Sequence, residues 1–135
     1  METNILMESG TNEVEILEFM VGNNHYGINV AKIKEMLDNL REHTPEKFGD
    51  FTVLSARDYD RDVIVDMKTG EKKPTGLPKS NVLYYDLNDG AWCCARPSGT
   101  EPKIKFYMGV KGTSLEDAQA KLDELTQAVM DLVQG

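Results

Sequence analysis

The fold is decided by a polar loop, Arg96-Pro97-Ser98-Gly99-Thr100-Glu101-Pro102, and by the run that follows it, Lys103-Ile104-Lys105-Phe106-Tyr107-Met108. Apolar side chains alternate with polar or basic ones along that run: Ile104, Phe106 and Met108 against Lys103, Lys105 and Tyr107. A period of two places alternate side chains on opposite faces of a strand. The run therefore predicts a strand with one face in the core and an open, basic face that carries Lys105.

The loop contains several groups that bind phosphate. The guanidinium of Arg96 can hold a phosphate through two parallel hydrogen bonds, and the hydroxyls of Ser98 and Thr100 can each donate another. Gly99 has no Cβ, so its N–H can approach an anion closely, and successive turn N–H groups can form an anion-binding nest. The loop thus predicts a phosphate cradle. The alternatives are a surface salt bridge for Arg96 and a turn-forming role for the two hydroxyls.

Composition narrows the class of protein. The 135 residues predict one domain, and a hydrophobic fraction of 40% allows a modest core. The net charge of −8 argues against general nucleic-acid binding. Between Arg96 and Lys111, however, basic residues outnumber acidic ones by four to one. Such a local positive region suits a small anion, and the alternative is a solvated charged strand end.

The two cysteines indicate the compartment. Cys93 and Cys94 are adjacent, and a disulfide between sequence neighbours is strained, so we predict two free thiols and a reducing environment. The sequence contains neither an apolar run of membrane-spanning length nor a signal-peptide pattern. We therefore expect a cytoplasmic protein that has no membrane partner.

No metal site is predicted. His25 and His43 lie far apart in the sequence, and no usual set of metal ligands surrounds them or the cysteines. One alternative is chelation of a cation by the alternating carboxylates of Asp58, Asp60 and Asp62. Basic residues interleave these carboxylates, which favours an ordinary strand end and turn.

Hydrophobic periodicity and turn residues predict an α+β domain. Residues 1–12 are polar and aperiodic, which predicts a flexible tail. Strands are predicted at 14–21, 51–58, 62–67, 81–87, 91–95 and 103–110, with helices at 31–42 and from Ser114 onward. Ser114 is the expected N-cap of the second helix, and Asp117 occupies the position of its capping partner. For residues 25–30 a returning strand and the start of a helix both remain open. The order of elements predicts a mostly antiparallel sheet with two helices on one face.

The loop and its flanks resemble the α-D-phosphohexomutase family, which includes phosphoglucomutases and phosphomannomutases. The resemblance also covers Phe48-Gly49-Asp50, residues 53–59, 76–84 and 89–92, and Gly112-Thr113-Ser114 with the residues up to Ala118. About the last three quarters of the chain, roughly residues 31–135, is similar to the C-terminal domain of such enzymes. The resemblance implies a TATA-binding-protein-like fold with the phosphate loop at the edge of the sheet.

The same resemblance implies the site residues. It assigns phosphate contacts to Arg96, Ser98, Gly99 and Thr100, and it places a basic ligand on the following strand, where this chain has Lys105. Lysine binds as a point charge, so its contact is less directional than that of an arginine fork. The expected ligand is a phosphosugar or inorganic phosphate.

The catalytic parts of the family are not recognisable here. Its phosphorylatable serine and its Asp-rich magnesium loop lie on an earlier domain, and neither motif occurs in this sequence. We therefore expect no catalytic residue and no cofactor in this chain, with magnesium belonging to the missing catalytic domain. Those mutase domains are the expected protein partner, and phosphate binding without turnover is the expected activity.

The N-terminal third resembles a different family. Residues 4–19 and 26–35 are similar to the start of CheW-like chemotaxis coupling proteins, whose opening strands begin a double barrel. We expect residues 13–135 to form one domain whose first strand and turn, 13–30, come from this segment and supply a strand to the sheet. A chemotaxis adaptor and a fusion with no independent function remain the alternatives.

Overall fold

The computed structural model describes residues 2–8, 12–20, 26–98 and 103–134. The described strands and helices, in chain order, are β1 (Glu2–Glu8), β2 (Asn12–Met20), α1 (Tyr26–Glu42), β3 (Lys47–Phe48), β4 (Phe51–Asp58), β5 (Val63–Asp66), β6 (Lys72–Lys73), β7 (Leu83–Leu87), β8 (Trp92–Pro97), β9 (Lys103–Lys111) and α2 (Leu115–Gln134). Neither described helix is both long and apolar enough to cross a membrane.

The strands form one antiparallel sheet in the order β1-β2-β9-β8-β7-β4-β5-β6, and β3 pairs with the start of β4. Helix α2 packs on β9 and β2, and α1 also contacts β9. Both helices contribute to the same buried cluster, which places them on one face of the sheet. The α+β class predicted from the sequence is confirmed.

The alternation along β9 separates the core from an open face, as predicted. Ile104, Phe106 and Met108 are at most 1% exposed and pack with Leu122 and Leu125 of α2. The intervening side chains of β9 are only half-buried. Burying an apolar side chain of this size contributes about 1.5–3 kcal/mol. The opposite face of the sheet is thereby left to polar and aromatic side chains.

The start of α2 follows the predicted capping pattern with one difference. The Ser114 hydroxyl accepts a hydrogen bond from the backbone N–H of Asp117 at 3.1 Å, so Ser114 is the N-cap. The Asp117 carboxylate accepts from the N–H of Thr113 at 2.9 Å rather than from the N-cap itself. This bond, followed by the Lys121 ammonium, holds the pKa of Asp117 below its usual value.

The N-terminal segment joins the sheet. Strand β2 lies between β1 and β9, with Glu18 opposite Lys105 and Ile16 opposite Tyr107, which confirms the predicted pairing of residues 14–21 as far as Met20. The structure differs from the sequence expectation over residues 1–12, because Glu2–Glu8 forms strand β1 and not a flexible tail. The outer edge of β2 offers unpaired backbone N–H and C=O groups. Hydrogen bonding to this edge outweighs the weak local preference of residues 2–8 for strand structure. Helix α1 begins at Tyr26. Of the two structures considered for residues 25–30, the start of a helix is therefore the one observed from Tyr26 onward.

Candidate phosphate site

The predicted loop joins two neighbouring strands at one end of the sheet. Strand β8 ends at Pro97 and β9 begins at Lys103, and the backbone N–H of Ser98 donates to the carbonyl of Lys103 at 2.9 Å. This bond closes the base of the loop. Gly99 and Thr100, two of the predicted phosphate ligands, lie outside the described residues.

Arg96 and Lys105 face each other across the β8–β9 ladder. Ala95 and Ile104 are fully buried beneath the helices, so alternation places Arg96 and Lys105 on the open face. The Arg96 side chain is exposed, and it forms no hydrogen bond or ion pair with another described side chain; Lys105 is half-buried. Two cations directly opposite in a sheet can both contact one anion, and Glu18 of β2 lies opposite Lys105 on its other side.

Cys93 and Cys94 lie next to each other in β8, on opposite faces of the sheet, and both are free thiols, as predicted. Burial raises the pKa of the Cys94 thiol to about 11, although the charge of Arg96 opposes the shift. Burial also raises the pKa of Cys93, which is fully enclosed in the core. Both groups are therefore protonated thiols near neutral pH and poor nucleophiles.

A chain of stacked side chains stiffens the open face beside Arg96. The Arg57 guanidinium lies 4.7 Å from the centroid of the Tyr84 ring, and Tyr84 stacks on Trp92 at 5.6 Å with an interplanar angle of 5°. Arg57 also donates two hydrogen bonds to Asp86, from Nε and Nη2, each at 2.9 Å. The sequence analysis missed this group. The alternation of side chains in β4, β7 and β8 predicts which residues share a face of the sheet. It does not show which strands are neighbours, so it could not bring these side chains together.

A buried ion pair joins helix α1 to the end of β4. Arg41 Nε donates to Asp58 Oδ2 at 3.0 Å, and their side chains are only 6% and 12% exposed. Arg41 Nη2 donates to Asn81 Oδ1 at 2.7 Å. The second oxygen of Asp58 accepts from the backbone N–H groups of Asp60 and Arg61. The contact between residues 41 and 58 has no local pattern that sequence analysis could use.

The hydrogen bonds of Asp58 and Asp62 can be compared with the alternative in which Asp58, Asp60 and Asp62 chelate a cation. Asp58 is engaged with Arg41 and with backbone N–H groups, whereas Asp62 accepts from the N–H and hydroxyl of Thr75 at 3.0 and 2.6 Å. These bonds hold the pKa of Asp62 below its usual value. Within residues 2–8, 12–20, 26–98 and 103–134, no three His, Cys, Asp or Glu side chains are grouped to hold a metal ion.

Known proteins with similar sequences are named phosphoglucomutase or phosphomannomutase. The chain is 31% identical over 94 residues to a phosphoglucomutase of Staphylococcus epidermidis and 33% identical over 98 residues to one of Staphylococcus saprophyticus. It is 30% identical over 104 residues to a probable phosphomannomutase of Haemophilus influenzae. These alignments cover 70%, 73% and 77% of the chain. Most of this chain is related to part of such mutases.

The chain matches only part of the length of each relative. The chain spans 17%, 16% and 19% of the length of these three relatives, about one sixth of each. No protein-family model matches the chain. The comparisons give no support to the CheW-like resemblance of the N-terminal segment, which stays a prediction.

Proposed function

We propose that this chain is a phosphosugar-binding module equivalent to the C-terminal domain of α-D-phosphohexomutases. It binds the phosphate through Arg96, Ser98, Gly99, Thr100 and Lys105. The observation that carries the proposal is the direct pairing of Arg96 with Lys105 at the base of the loop. Two cations held opposite each other in a sheet can both contact one phosphate, Arg96 through its fork and Lys105 through its ammonium.

The expected affinity is low. Arg96 provides a forked contact, Lys105 a point charge and Ser98 a hydroxyl, but one face of a phosphate remains in water. Affinity of this kind is about millimolar, which corresponds to about 4 kcal/mol. Because the two cations lie on an open face, salt screens the attraction and weakens binding.

The proposal does not include turnover by these residues alone. Moving a phosphoryl group between sugar hydroxyls needs a phosphate carrier and a metal ion placed in line with the substrate. We assign the carrier serine and magnesium to other mutase domains, which are the proposed protein partners of this module. The protonated thiols of Cys93 and Cys94 suit a reducing compartment, which supports a cytoplasmic location.

Titration with inorganic phosphate, followed through backbone amide NMR signals, tests the proposal. Phosphate should shift the amides of Ser98 and Lys105 in a saturable manner, and Arg96→Ala should remove most of the effect. Lys47→Ala is a matched control, because it also deletes one exposed cation. Lys47 lies in β3 beside the start of β4, at the end of the sheet away from the loop. Equal shifts in Arg96→Ala and Lys47→Ala, or no shift at Ser98, would overturn the assignment.

A further inference from the structure

A cavity of about 350 Å³ lies near the outer edge of the sheet, between the end of α1 and strands β4, β5 and β7. The half-buried apolar side chains of its wall are Leu40, Ala56, Val63, Val65 and Met67. Its volume is within the range of small-molecule sites. The described residues that line it do not include Arg96, Ser98 or Lys105, so the cavity is distinct from the phosphate loop.

The inner end of the cavity carries an unpaired hydroxyl, that of Tyr85 in β7. Tyr85 is only 2% exposed, and its hydroxyl has no hydrogen-bond partner among the described residues. The ring of Phe48 packs edge-on against Tyr85 at 5.2 Å, which holds the phenol in place. Burial raises the pKa of Tyr85, so the phenol stays protonated near neutral pH and its O–H can donate. Buried polar groups in proteins are nearly always paired, so this donor indicates a bound acceptor.

Strand register places this hydroxyl at one end of a row of side chains. Ala56 of β4 is the direct partner of Tyr85 on one side and of Val65 on the other, and Val65 is the partner of Lys72. Directly paired residues share a face of the sheet, so the row runs across four strands on the face that carries the helices. The short side chain of Ala56 leaves room in the middle of the row.

The outer end of the cavity is basic. Lys72 is exposed and forms no ion pair with another described side chain. Arg61 also lines the cavity, and its Nη2 donates to Glu42 Oε1 at 3.0 Å. The other charges in the wall, Arg41 and Asp58, neutralise each other in their buried ion pair. The unbalanced positive charge is therefore that of Lys72, where an anionic group can bind and remain partly hydrated.

We propose that this cavity binds a small aryl carboxylate whose far end carries a hydrogen-bond acceptor. The ring lies over Ala56 and Val65, the acceptor takes the hydrogen bond of Tyr85, and the carboxylate contacts Lys72. Met67 in the wall supports an aromatic body, because a thioether makes favourable contacts with aromatic rings. A rigid ring also loses little conformational entropy on binding. This site goes beyond the proposed function and does not depend on it.

Three probes of nearly equal shape separate the parts of the ligand. The acid para-acetylbenzoate carries both the acceptor and the carboxylate. Its analogue para-isopropylbenzoate lacks the acceptor, and para-acetylbenzamide lacks the negative charge. Each is titrated into the full chain and followed through backbone amide NMR signals. Saturable shifts by para-acetylbenzoate are expected at Ala56, Val65 and Tyr85.

The hydroxyl is tested with Tyr85→Phe, which keeps the ring against Phe48 and removes only the donor. The affinity of para-acetylbenzoate relative to para-isopropylbenzoate should fall about fivefold, the effect of one net hydrogen bond. Tyr84→Phe is the matched control, because the adjacent residue lies on the opposite face of the sheet and should leave this ratio unchanged.

The basic end is tested with Lys72→Gln, which should lower the affinity of para-acetylbenzoate about threefold, as for an exposed ion pair. The neutral para-acetylbenzamide should be unaffected. Lys73→Gln is the matched control, because Lys73 is equally exposed but lines a concavity on the opposite face of the sheet. Ala56→Leu fills the middle of the row and should remove binding of both acids.

Each part of the proposal can fail separately. If para-acetylbenzoate shifts none of the three amides, or if Ala56→Leu binds it as well as the parent protein, the cavity is not its site and the proposal is wrong. Equal affinity ratios in Tyr85→Phe and Tyr84→Phe would show that no acceptor reaches the hydroxyl, which also overturns it. Equal effects of Lys72→Gln and Lys73→Gln would overturn the placement of the carboxylate. Phosphate-induced shifts at Ser98 should persist in Tyr85→Phe, so failure here leaves the phosphate site untouched.

Discussion

Arg96 and Lys105 are direct partners in the antiparallel β8–β9 ladder. At such positions the Cβ atoms are about 4.5–5.5 Å apart, so the two cations act on each other. The sheet holds them there because their neighbours, Ala95 and Ile104, are fully buried on the opposite face. The core thus fixes both cations on the open face, where one anion can contact both, and Glu18 of β2 lies opposite Lys105 on its other side.

This relationship predicts that removing Arg96 abolishes the stabilisation that phosphate gives to the fold. In phosphate-free buffer, Arg96→Gln should change the free energy of unfolding by no more than about 0.5 kcal/mol, as for other exposed side chains. At a phosphate concentration of ten times the dissociation constant, the parent protein should gain about 1.4 kcal/mol and the variant almost nothing. Urea unfolding measures both quantities. Lys47→Gln is the control, and an equal phosphate effect in Arg96→Gln and Lys47→Gln would contradict the prediction.

The buried Arg41–Asp58 pair should be important for stability. Arg41→Met leaves the Asp58 carboxylate without its main counter-charge at 12% exposure, so unfolding free energy should fall by about 3–5 kcal/mol. The exposed Lys34–Asp38 pair on the same helix is the control, and Lys34→Met should cost far less than Arg41→Met because solvent screens this pair. Adding Asp58→Asn to Arg41→Met should recover part of the loss. Equal costs for Arg41→Met and Lys34→Met would show that the buried pair contributes nothing special.

Gly109 should not tolerate a side chain. A Cβ at this position would overlap Nε1 of Trp92, so Gly109→Ala must displace the indole from Tyr84. We expect a loss of about 1–3 kcal/mol, the usual cost of overpacking, together with a shift in fluorescence from Trp92, the only tryptophan. In a Trp92→Leu background the same substitution should cost less. An unchanged emission spectrum for Gly109→Ala would disprove the contact.

Strand β2 should be among the protected parts of the sheet. It is hydrogen-bonded to β1 on one side and to β9 on the other, so its backbone groups are engaged on both edges. In native-state hydrogen exchange, the amides of residues 15–20 should be protected to a degree comparable with those of β9. The short edge strand β6, Lys72–Lys73, provides the internal contrast and should exchange faster. Exchange of residues 15–20 as fast as that of β6 would show that the sheet does not need this segment.

The isolated chain should bind a phosphosugar without converting it. A coupled assay containing glucose 1-phosphate, an activating sugar bisphosphate and magnesium should report no turnover above background, because a phosphate carrier and metal ligands in line with the substrate are needed for the reaction. Under the same conditions the NMR shifts at Ser98 should persist, which verifies that the site is occupied. Turnover above that of an Arg96→Ala control would refute this prediction.

The sequence by itself determined the features that depend on neighbouring residues. The alternation in β9 predicted which side chains enter the core, and Ser114 with Asp117 predicted the start of α2, since these patterns operate within one or two turns or pleats. The residue types of the loop also predict a phosphate cradle, which stays a prediction, and two of its members, Gly99 and Thr100, lie outside the described residues.

Only the tertiary structure decided which of these residues meet. Pairing Arg96 with Lys105 depends on the register of β8 against β9, and a slip of one strand by one residue would turn one of the two side chains toward the core. The contacts of Arg41 with Asp58 and of Trp92 with Gly109 join distant parts of the chain. No local pattern encodes such contacts, because they form only when the burial of the whole core outweighs the entropy of closing the intervening loops.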